Sequence, residues 1–580
     1  MENRNKRIFF VLFCLIIAAV SVYPYFSMGV NIEHDTCFHL SRIQALAVSI
    51  EEGNLMPAVF ASQNRGYGYA SPLFYCNLFF LFPALLVHFG LSLARAYQVF
   101  LFVVTAITAM VMGICVHKEF RNDGVTLLSS CLYLFSLYRL SDIYVRGAAG
   151  EVLAFIFLPV AMVGIIEVVI GNEKDWPWLC VGFSGLLLTH NISFLMMVCV
   201  FGLILLSQFG KLLREKNRLV AIIKAVFWSI GLCSFFLWPM IEQMVSQKMI
   251  VHGFSGFDLE NYALNAWQYT EQSLNFNTSS VDYGPNEAMT TNLGLLIPLL
   301  PLLRFFDLDE PSGKQKQLMR WMSWIGYGSF FLCSRLFPWE GMGIFGIIQF
   351  PWRLMIIADV MLVPLAALSA ERFFHRQREI MIPVLICLTL LGAVIHLLPV
   401  MDRTLIFEKE AKYESFLDGS FIDPFYGDSY FVRTEIAGAD YLPAVYYDYK
   451  NASGCVTDPE GKDLVCEVEK KGMRTAFEFE NIASCTLLQV PLTYYKGYQA
   501  WIEDDMGNRT SLPISKNDRT GLVQVDNGNI LTGKIEVIYT GTWIQKLSAG
   551  ITIATLSAAL ICGYRKRRKS GNVQDFYNEI

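Results

Sequence analysis

The stretch IFFVLFCLIIAAVSVYPYFSMGVNIEHDTCFHLSR, residues 8–42, runs for 25 positions, Ile8–Ile32, without a charge and then places Glu33, His34, Asp35, His39 and Arg42 within ten. About 20 apolar residues of helix cross a bilayer core of about 30 Å, so the first part reads as a membrane span that delivers an ionisable cluster to one membrane surface. The rest of the chain repeats the first part of that pattern. Of 580 residues, 54% are apolar and 17% charged, and the mean hydropathy is +0.40. These values describe a polytopic membrane protein. A net charge of -5 argues against nucleic acid as a partner, because neutralising phosphates requires a basic surface. The 14 cysteines fall mostly singly in apolar stretches, with no CxxC pair, which speaks against a zinc site or a disulfide framework.

Twelve spans are predicted, at approximately 8–28, 96–116, 124–139, 150–170, 176–190, 191–210, 219–241, 291–305, 320–336, 352–370, 380–399 and 543–563. With the N-terminus inside, cytoplasmic segments hold 23 Lys and Arg against eight in the short opposite loops, as the positive-inside rule requires. This places the protein in the plasma membrane with both termini cytoplasmic. Counting Leu73–Gly90 as a span would put the basic segments Lys211–Arg218 and Arg565–Lys569 outside. It therefore reads as a juxtamembrane or re-entrant element, with Pro72 and Pro83 compatible with a helix that starts late and bends.

The chain divides into a transmembrane module over 1–400, whose first outer loop is 29–95, an extracytoplasmic region over 401–542, and a last helix with a basic tail over 543–580. In the second region, alternating runs at Leu487–Tyr494, Leu522–Val525 and Lys534–Tyr539 between turn residues predict strands. Three cysteines lie there, Cys455, Cys466 and Cys485, and a Cys455–Cys466 disulfide is the preferred pairing.

With Asp35 at a helix N-cap, His39 and Arg42 follow at helical spacing and all three could share a face. Either the group is a cap with solvated charges, or it is a reactive or metal-binding carboxylate–histidine site. Arg146 and Glu151 flank the start of another span, where charges usually face a cavity or each other, so an anion site and an interfacial pair both suit them. His190 and Asn191 join two short apolar helices, and the histidine reads as a turn cap or a substrate contact. Gln349-Phe-Pro-Trp-Arg353 carries an arginine beside an aromatic belt, suited to anchoring or to holding a lipid phosphate. Glu260, Glu271, Asp282, Tyr283 and Glu287 offer further polar groups in a large outer loop, and their spacing singles out none.

Taken together, His34-Asp35-x-x-Phe38-His39-Leu40-x-Arg42-Ile43, Gly53-x-Leu55-x-Pro57, Gly66-Tyr-Gly-Tyr69, Pro72-Leu-Phe-Tyr75, Arg146-Gly-Ala-Ala-Gly-Glu151, Leu188-Thr-His-Asn191 and Gln349-Phe-Pro-Trp-Arg353 resemble a bacterial family. This is the 6-pyruvoyl-tetrahydropterin synthase-related membrane domain, kin to the YfhO-like glycosyltransferases, and the Tyr494–Trp501 stretch is similar to the end of YfhO-like chains. The resemblance implies a GT-C architecture that takes sugar from a polyprenyl-phosphate donor and passes it to an envelope polymer, glycolipid or protein. Carried over, Asp35 would be the general base of an inverting transfer, with His34 and His39 orienting it or helping to bind a divalent cation, Mg or Mn. Arg42, Arg146, Glu151, His190, Asn191, Gln349 and Arg353 would form the substrate and lipid-phosphate site. A single Asp in place of a DxD leaves metal dependence open, with Asp35 and His39 the ligands if a metal binds. A transporter or flippase of lipid-linked intermediates, and a non-catalytic accessory subunit, are the alternatives.

Overall fold

Long apolar segments satisfy their own backbone groups most simply as helices, and most of the chain is helical in the computed structural model. The structure describes residues 4–570 except 29, 31–33, 257–258, 277–288, 307–310, 312, 403–438, 446, 450, 481–485, 504–508 and 529. Among the described residues, the helices of eight or more residues are α1 (Arg4–Met28), α2 (Thr36–Glu51), α3 (Leu81–His88), α4 (Leu93–Phe120), α5 (Asp123–Leu134), α6 (Leu137–Tyr144) and α7 (Ala149–Val169). They continue with α8 (Pro177–Thr189), α9 (Asn191–Ser207), α10 (Lys216–Ser246), α11 (Gly313–Leu332), α12 (Met355–Phe373), α13 (Arg378–Asp402) and α14 (Trp543–Ser570).

Seven helical segments among the described residues are long and apolar enough to cross a membrane, namely α1, α4, α7, α10, α12 with the turn before it, α13 and α14. The other five predicted spans coincide with shorter or more polar helices. α5 has 12 residues, α8 13 and α9 17; the segment Leu296–Phe306 is similarly short, and α11 carries Lys314, Lys316 and Arg320 in its first half. Leu73–Gly90 is broken into the turn Ser71–Phe74, a 3-10 turn at Leu78–Phe80 and the eight-residue α3. At 1.5 Å per residue, α3 extends only about 12 Å.

α7 and α12 are buried along nearly their whole length and form the centre of the bundle, while α10, α13 and α14 turn exposed apolar side chains outward. Small residues bring α7 and α8 together: a Cβ at Gly164 would lie 2.2 Å from the Leu179 nitrogen, and one at Gly182 would lie 2.4 Å from the Ala161 Cα. Close backbone approach replaces the hydrophobic drive that is weak between helices in lipid.

The region before α14 folds as strands, where the alternating pattern places them. They are β1 (Val456–Thr457), β2 (Asp463–Val465), β3 (Val468–Lys471), β4 (Arg474–Glu480), β5 (Leu487–Thr493), β6 (Tyr498–Glu503), β7 (Arg509–Leu512), β8 (Ile514–Lys516), β9 (Leu522–Asp526) and β10 (Thr532–Tyr539). Two five-stranded antiparallel sheets result, ordered β2-β1-β5-β9-β8 and β3-β4-β10-β6-β7. Their shared core of Val490, Tyr495, Val525, Ile535 and Val537 also takes in Val59, Ala70, Leu73, Phe74 and Met249 from the loops of the helical module. Cys455 and Cys466 form the expected disulfide. Cys485 lies outside the described residues, as do Asp282, Tyr283 and Glu287.

The sandwich is clamped to the bundle by paired main-chain and side-chain bonds. The Gln243 amide donates to the Lys496 carbonyl at 2.6 Å and accepts from the Lys496 N–H at 3.1 Å. The Lys496 ammonium lies 3.0 Å from Glu242, and Lys470 donates to the carbonyls of Gly66 and Pro491.

Candidate functional site

Asp35 occupies the N-cap of α2, as its position in the sequence suggests, but its side chain makes no capping bond. Its main-chain N–H donates to the Arg146 carbonyl at 2.8 Å. Gly147, at φ +59°, follows directly against the first turn of α2, and a Cβ there would lie 2.0 Å from Thr36 Oγ1. Two stretches more than 100 residues apart, His34–Arg42 and Arg146–Glu151, are thus joined through main chain and a residue that must be glycine. The Asp35 carboxylate is half-buried and accepts no hydrogen bond among the described residues. His34 beside it is half-buried, and Glu33 lies outside the described residues.

The inner face of α2 is committed to structure. Arg42 is fully buried and donates from Nε to Asn77 Oδ1 at 3.1 Å and from Nη2 to the carbonyls of Tyr75 and Cys76 at 3.1 and 3.2 Å. Its Nη1 lies 3.2 Å from His39 Nδ1, and the guanidinium is 4.4 Å from the Tyr75 ring centre and 4.6 Å from that of Phe80. Burial lowers it to about 10, still cationic at neutral pH. The expected phosphate role of Arg42 therefore gives way to a different one, because its donors are spent inside the protein in holding the turn at 75–77.

His39 stacks on Phe80 with ring centres 5.3 Å apart and planes 4° from parallel. Burial, then Arg42, then His190 hold its pKa well below the usual histidine range, so the ring is neutral. Its Nδ1 faces a donor on a cation and must accept, which removes that nitrogen as a metal ligand. With Nδ1 accepting, the neutral ring carries its proton on Nε2, so His39 offers no free lone pair to a divalent ion. Among the described residues, the ligand-type atoms of Cys455, Asp463 and Cys466 do converge, but both cysteines are in the disulfide.

Glu151 is the hub of the second half of the site. Its Oε1 accepts from the Tyr138 hydroxyl at 2.6 Å, and its Oε2 lies 2.8 Å from Arg146 Nη1 and 3.5 Å from Arg353 Nε. Arg146 also contacts Asp142 and lies 4.7 Å from the Trp352 ring centre. Arg353 Nη1 donates to the Ile348 carbonyl at 3.0 Å and to Gln349 Oε1 at 2.6 Å; its Nη2 donates no hydrogen bond among the described residues. Gln349 reaches it from a backbone at φ +66°. The two arginines are balanced by Asp142 and Glu151, which is how buried charges become tolerable. His190 caps α9, accepting from the Ser193 N–H, and Asn191 donates to the Phe74 carbonyl at 3.2 Å.

Tyr75 connects the two halves: it packs on Arg42, its ring centre is 6.5 Å from that of His190, and its hydroxyl occupies the space a Cβ at Gly150 would need. The sandwich side contributes Asp440 and Tyr441. Tyr441 stacks on Phe74 at 4.9 Å and its N–H donates to the Tyr69 hydroxyl. Burial and then the charge of Asp35 raise Asp440 to about 6. Spacing had singled out none of Tyr75, Tyr138, Asp142, Asp440 and Tyr441; of these, Tyr75 ends the motif Pro72-Leu-Phe-Tyr75, and the Tyr138–Asp142 run shortly precedes the motif Arg146–Glu151. Arg139, the last residue of the predicted span 124–139, is fully buried, bonded to the Leu134 carbonyl and Thr105 Oγ1 and near the buried Asp359.

No family model matches the chain. A protein of Lactococcus lactis subsp. cremoris (strain MG1363), described as an uncharacterized protein, is 25% identical over 259 residues. The match spans 42% of each chain, less than half of either.

Proposed function

We propose that the protein is a GT-C-type membrane glycosyltransferase that moves a sugar from a polyprenyl-phosphate carrier to an envelope polymer, glycolipid or protein at the outer membrane face. The observation that carries this reading is the Asp35 carboxylate, half-buried and accepting no hydrogen bond among the described residues, held by the loop that carries Arg146 and leads to Glu151, whose carboxylate also meets Arg353. A carboxylate without a committed partner can take a proton, and geometry is the first requirement of a general base.

In the proposed step the acceptor hydroxyl gives its proton to Asp35 while its oxygen attacks the anomeric carbon. The bond from that carbon to the phosphate oxygen breaks, and the electron pair leaves with the polyprenyl phosphate, inverting the centre. Arg353 Nη2 is the donor best suited to the leaving phosphate, whose charge grows in the transition state. Arg146, Glu151, Gln349 and Tyr138 hold that guanidinium in place, and Arg42 and His39 hold the floor beneath Asp35. The excess of Lys and Arg in the segments read as cytoplasmic supports the outer-face assignment.

The test is release of polyprenyl phosphate from a panel of radiolabelled polyprenyl-phosphate sugars by full-length protein in nanodiscs, with envelope extract as acceptor. Wild type should turn over, Asp35→Asn should lose at least about a hundredfold at unchanged thermal stability, and EDTA should leave the rate intact. Equal turnover by the mutant removes Asp35 from the chemistry, and absence of release from every donor favours the accessory-subunit reading.

A further inference from the structure

The end of the bundle opposite Asp35 holds a cavity of about 640 Å³ between the last turn of α9 and the first half of α11. α9 runs from its cap at His190, in the candidate site, to Ser207, at this cavity, and its 17 residues separate the two by about 25 Å. α11, 20 residues or about 30 Å long, starts at the cavity, which Gly313 lines, and Cys333, past its far end, accepts from the Leu264 N–H at 2.8 Å.

The lining has two characters. Gln208, Lys316 and Arg320 form a polar, basic part, and Leu203, Trp321 and Trp324 an apolar one. Arg320 makes no hydrogen bond or ion pair among the described residues. Leu203 and Trp324 are 61% and 76% exposed, so the apolar wall opens sideways onto the outer flank of the bundle. A second cavity of about 320 Å³ adjoins through Ser207 and Gln208 and adds Lys211 and Arg214, with Glu215 on its rim. Glu215 is engaged by Arg218 at 2.5 Å and lies 3.9 Å from Lys211, so the lining cations Arg214 and Arg320 have no anionic partner among the described residues.

We propose that these cavities bind an anionic glycerophospholipid of the adjacent leaflet, its phosphate held by Arg320 and Lys316 and an acyl chain lying along Leu203 and Trp324. A guanidinium presents two parallel donors to phosphate oxygens, and tryptophan at the polar–apolar boundary suits an interfacial lipid. A free phosphate has no use for the apolar wall. A zwitterionic lipid brings its own cation against Lys316, Arg320 and Arg214, and so forfeits the attraction that basic pockets offer anionic headgroups.

The test is native mass spectrometry of the full-length protein titrated with phosphatidylglycerol, phosphatidylcholine and sn-glycerol 3-phosphate. Wild type should bind phosphatidylglycerol about tenfold more tightly than phosphatidylcholine, and glycerol phosphate should not displace it. Lys316→Gln with Arg320→Gln should erase the tenfold preference, while Arg372→Gln with Arg376→Gln, which removes equal charge from the end of α12 and the turn after it, should keep it. Equal binding of the two lipids, equal loss in both double variants, or displacement by glycerol phosphate overturns the proposal, the last in favour of a soluble phosphate ligand. Should the first double variant fail to fold, phosphatidylglycerol brominated on its acyl chain tests the same contact. It should quench a fraction of the fluorescence that is missing in Trp324→Phe, and unchanged quenching in that variant refutes the site.

Discussion

Asp35 and Asp440 are carboxylates 405 positions apart in different electrostatic situations, and the difference makes Asp440 the more instructive residue. Burial first, and then the Asp35 charge, lift it to about 6, against about 3.9 for a free aspartate. The folded state therefore binds the proton more tightly than the unfolded one, so the stabilisation is fully present below about pH 4 and is lost as pH rises to about 6, with no further change above. Asp440→Asn should flatten this slope and raise the melting temperature at pH 7.5, as thermal unfolding in nanodiscs from pH 4 to 8 would show. An unaltered slope would mean that the carboxylate is solvated when ionised. Among the described residues, Tyr69, Tyr441 and Asp35 are polar groups that act on it or on which it acts, and none of the three is a compensating cation. Arg42 teaches the complementary lesson. Its sequence position suggests a ligand, whereas its bonds to Asn77, Tyr75 and Cys76 make it a brace. Arg42→Gln should cost about 3 kcal/mol by leaving buried carbonyls unpaired, seen as a lower melting temperature whether or not donor is present.

At the scale of elements, the meeting of α2 with the loop before α7 matters most. Gly147 combines φ +59° with a Cβ position 2.0 Å from Thr36 Oγ1, so an alanine there is strained twice over. Gly147→Ala should destabilise the protein by about 2 kcal/mol. In a Thr36→Ala background the loss should shrink but not vanish, because the side-chain clash is relieved while the backbone strain remains; a melting-temperature series over the four variants measures both parts. The helices themselves were readable to different degrees. Runs as long and apolar as 8–28 or 380–399 specify a helix by composition, so α1 and α13 appear where expected. Segments such as 124–139 and 176–190 are apolar enough to suggest spans, but the helices they form stop at 12 and 13 residues, because Phe135 and His190 leave helical geometry to turn the chain.

At the scale of the molecule, the β-sandwich is part of the structure that builds the site. Phe74 belongs to the sandwich core and carries Tyr441 on its face, while Gln243 and Lys496 exchange two hydrogen bonds between bundle and sandwich. Gln243→Ala should speed hydrogen exchange over 494–498 and 439–445 and lower turnover, with exchange in α7 and α12 unchanged. Uniform deprotection would instead mean that the glutamine supports the whole fold and not the junction.

Composition and periodicity, which are local properties, were sufficient for the apolar helical class, the long helices and the strands at Leu487, Leu522 and Lys534. Hydrophobic length and side-chain alternation act over a few turns or a few strand positions, so no tertiary information is needed to read them. Which charges meet is a different matter. Glu151 with Arg353, Gln243 with Lys496, and Asp440 beside Asp35 are contacts across some two hundred to four hundred positions of chain. Only the packing of the bundle and the docking of the sandwich decide them, because a buried charge accepts whichever partner the fold brings within reach.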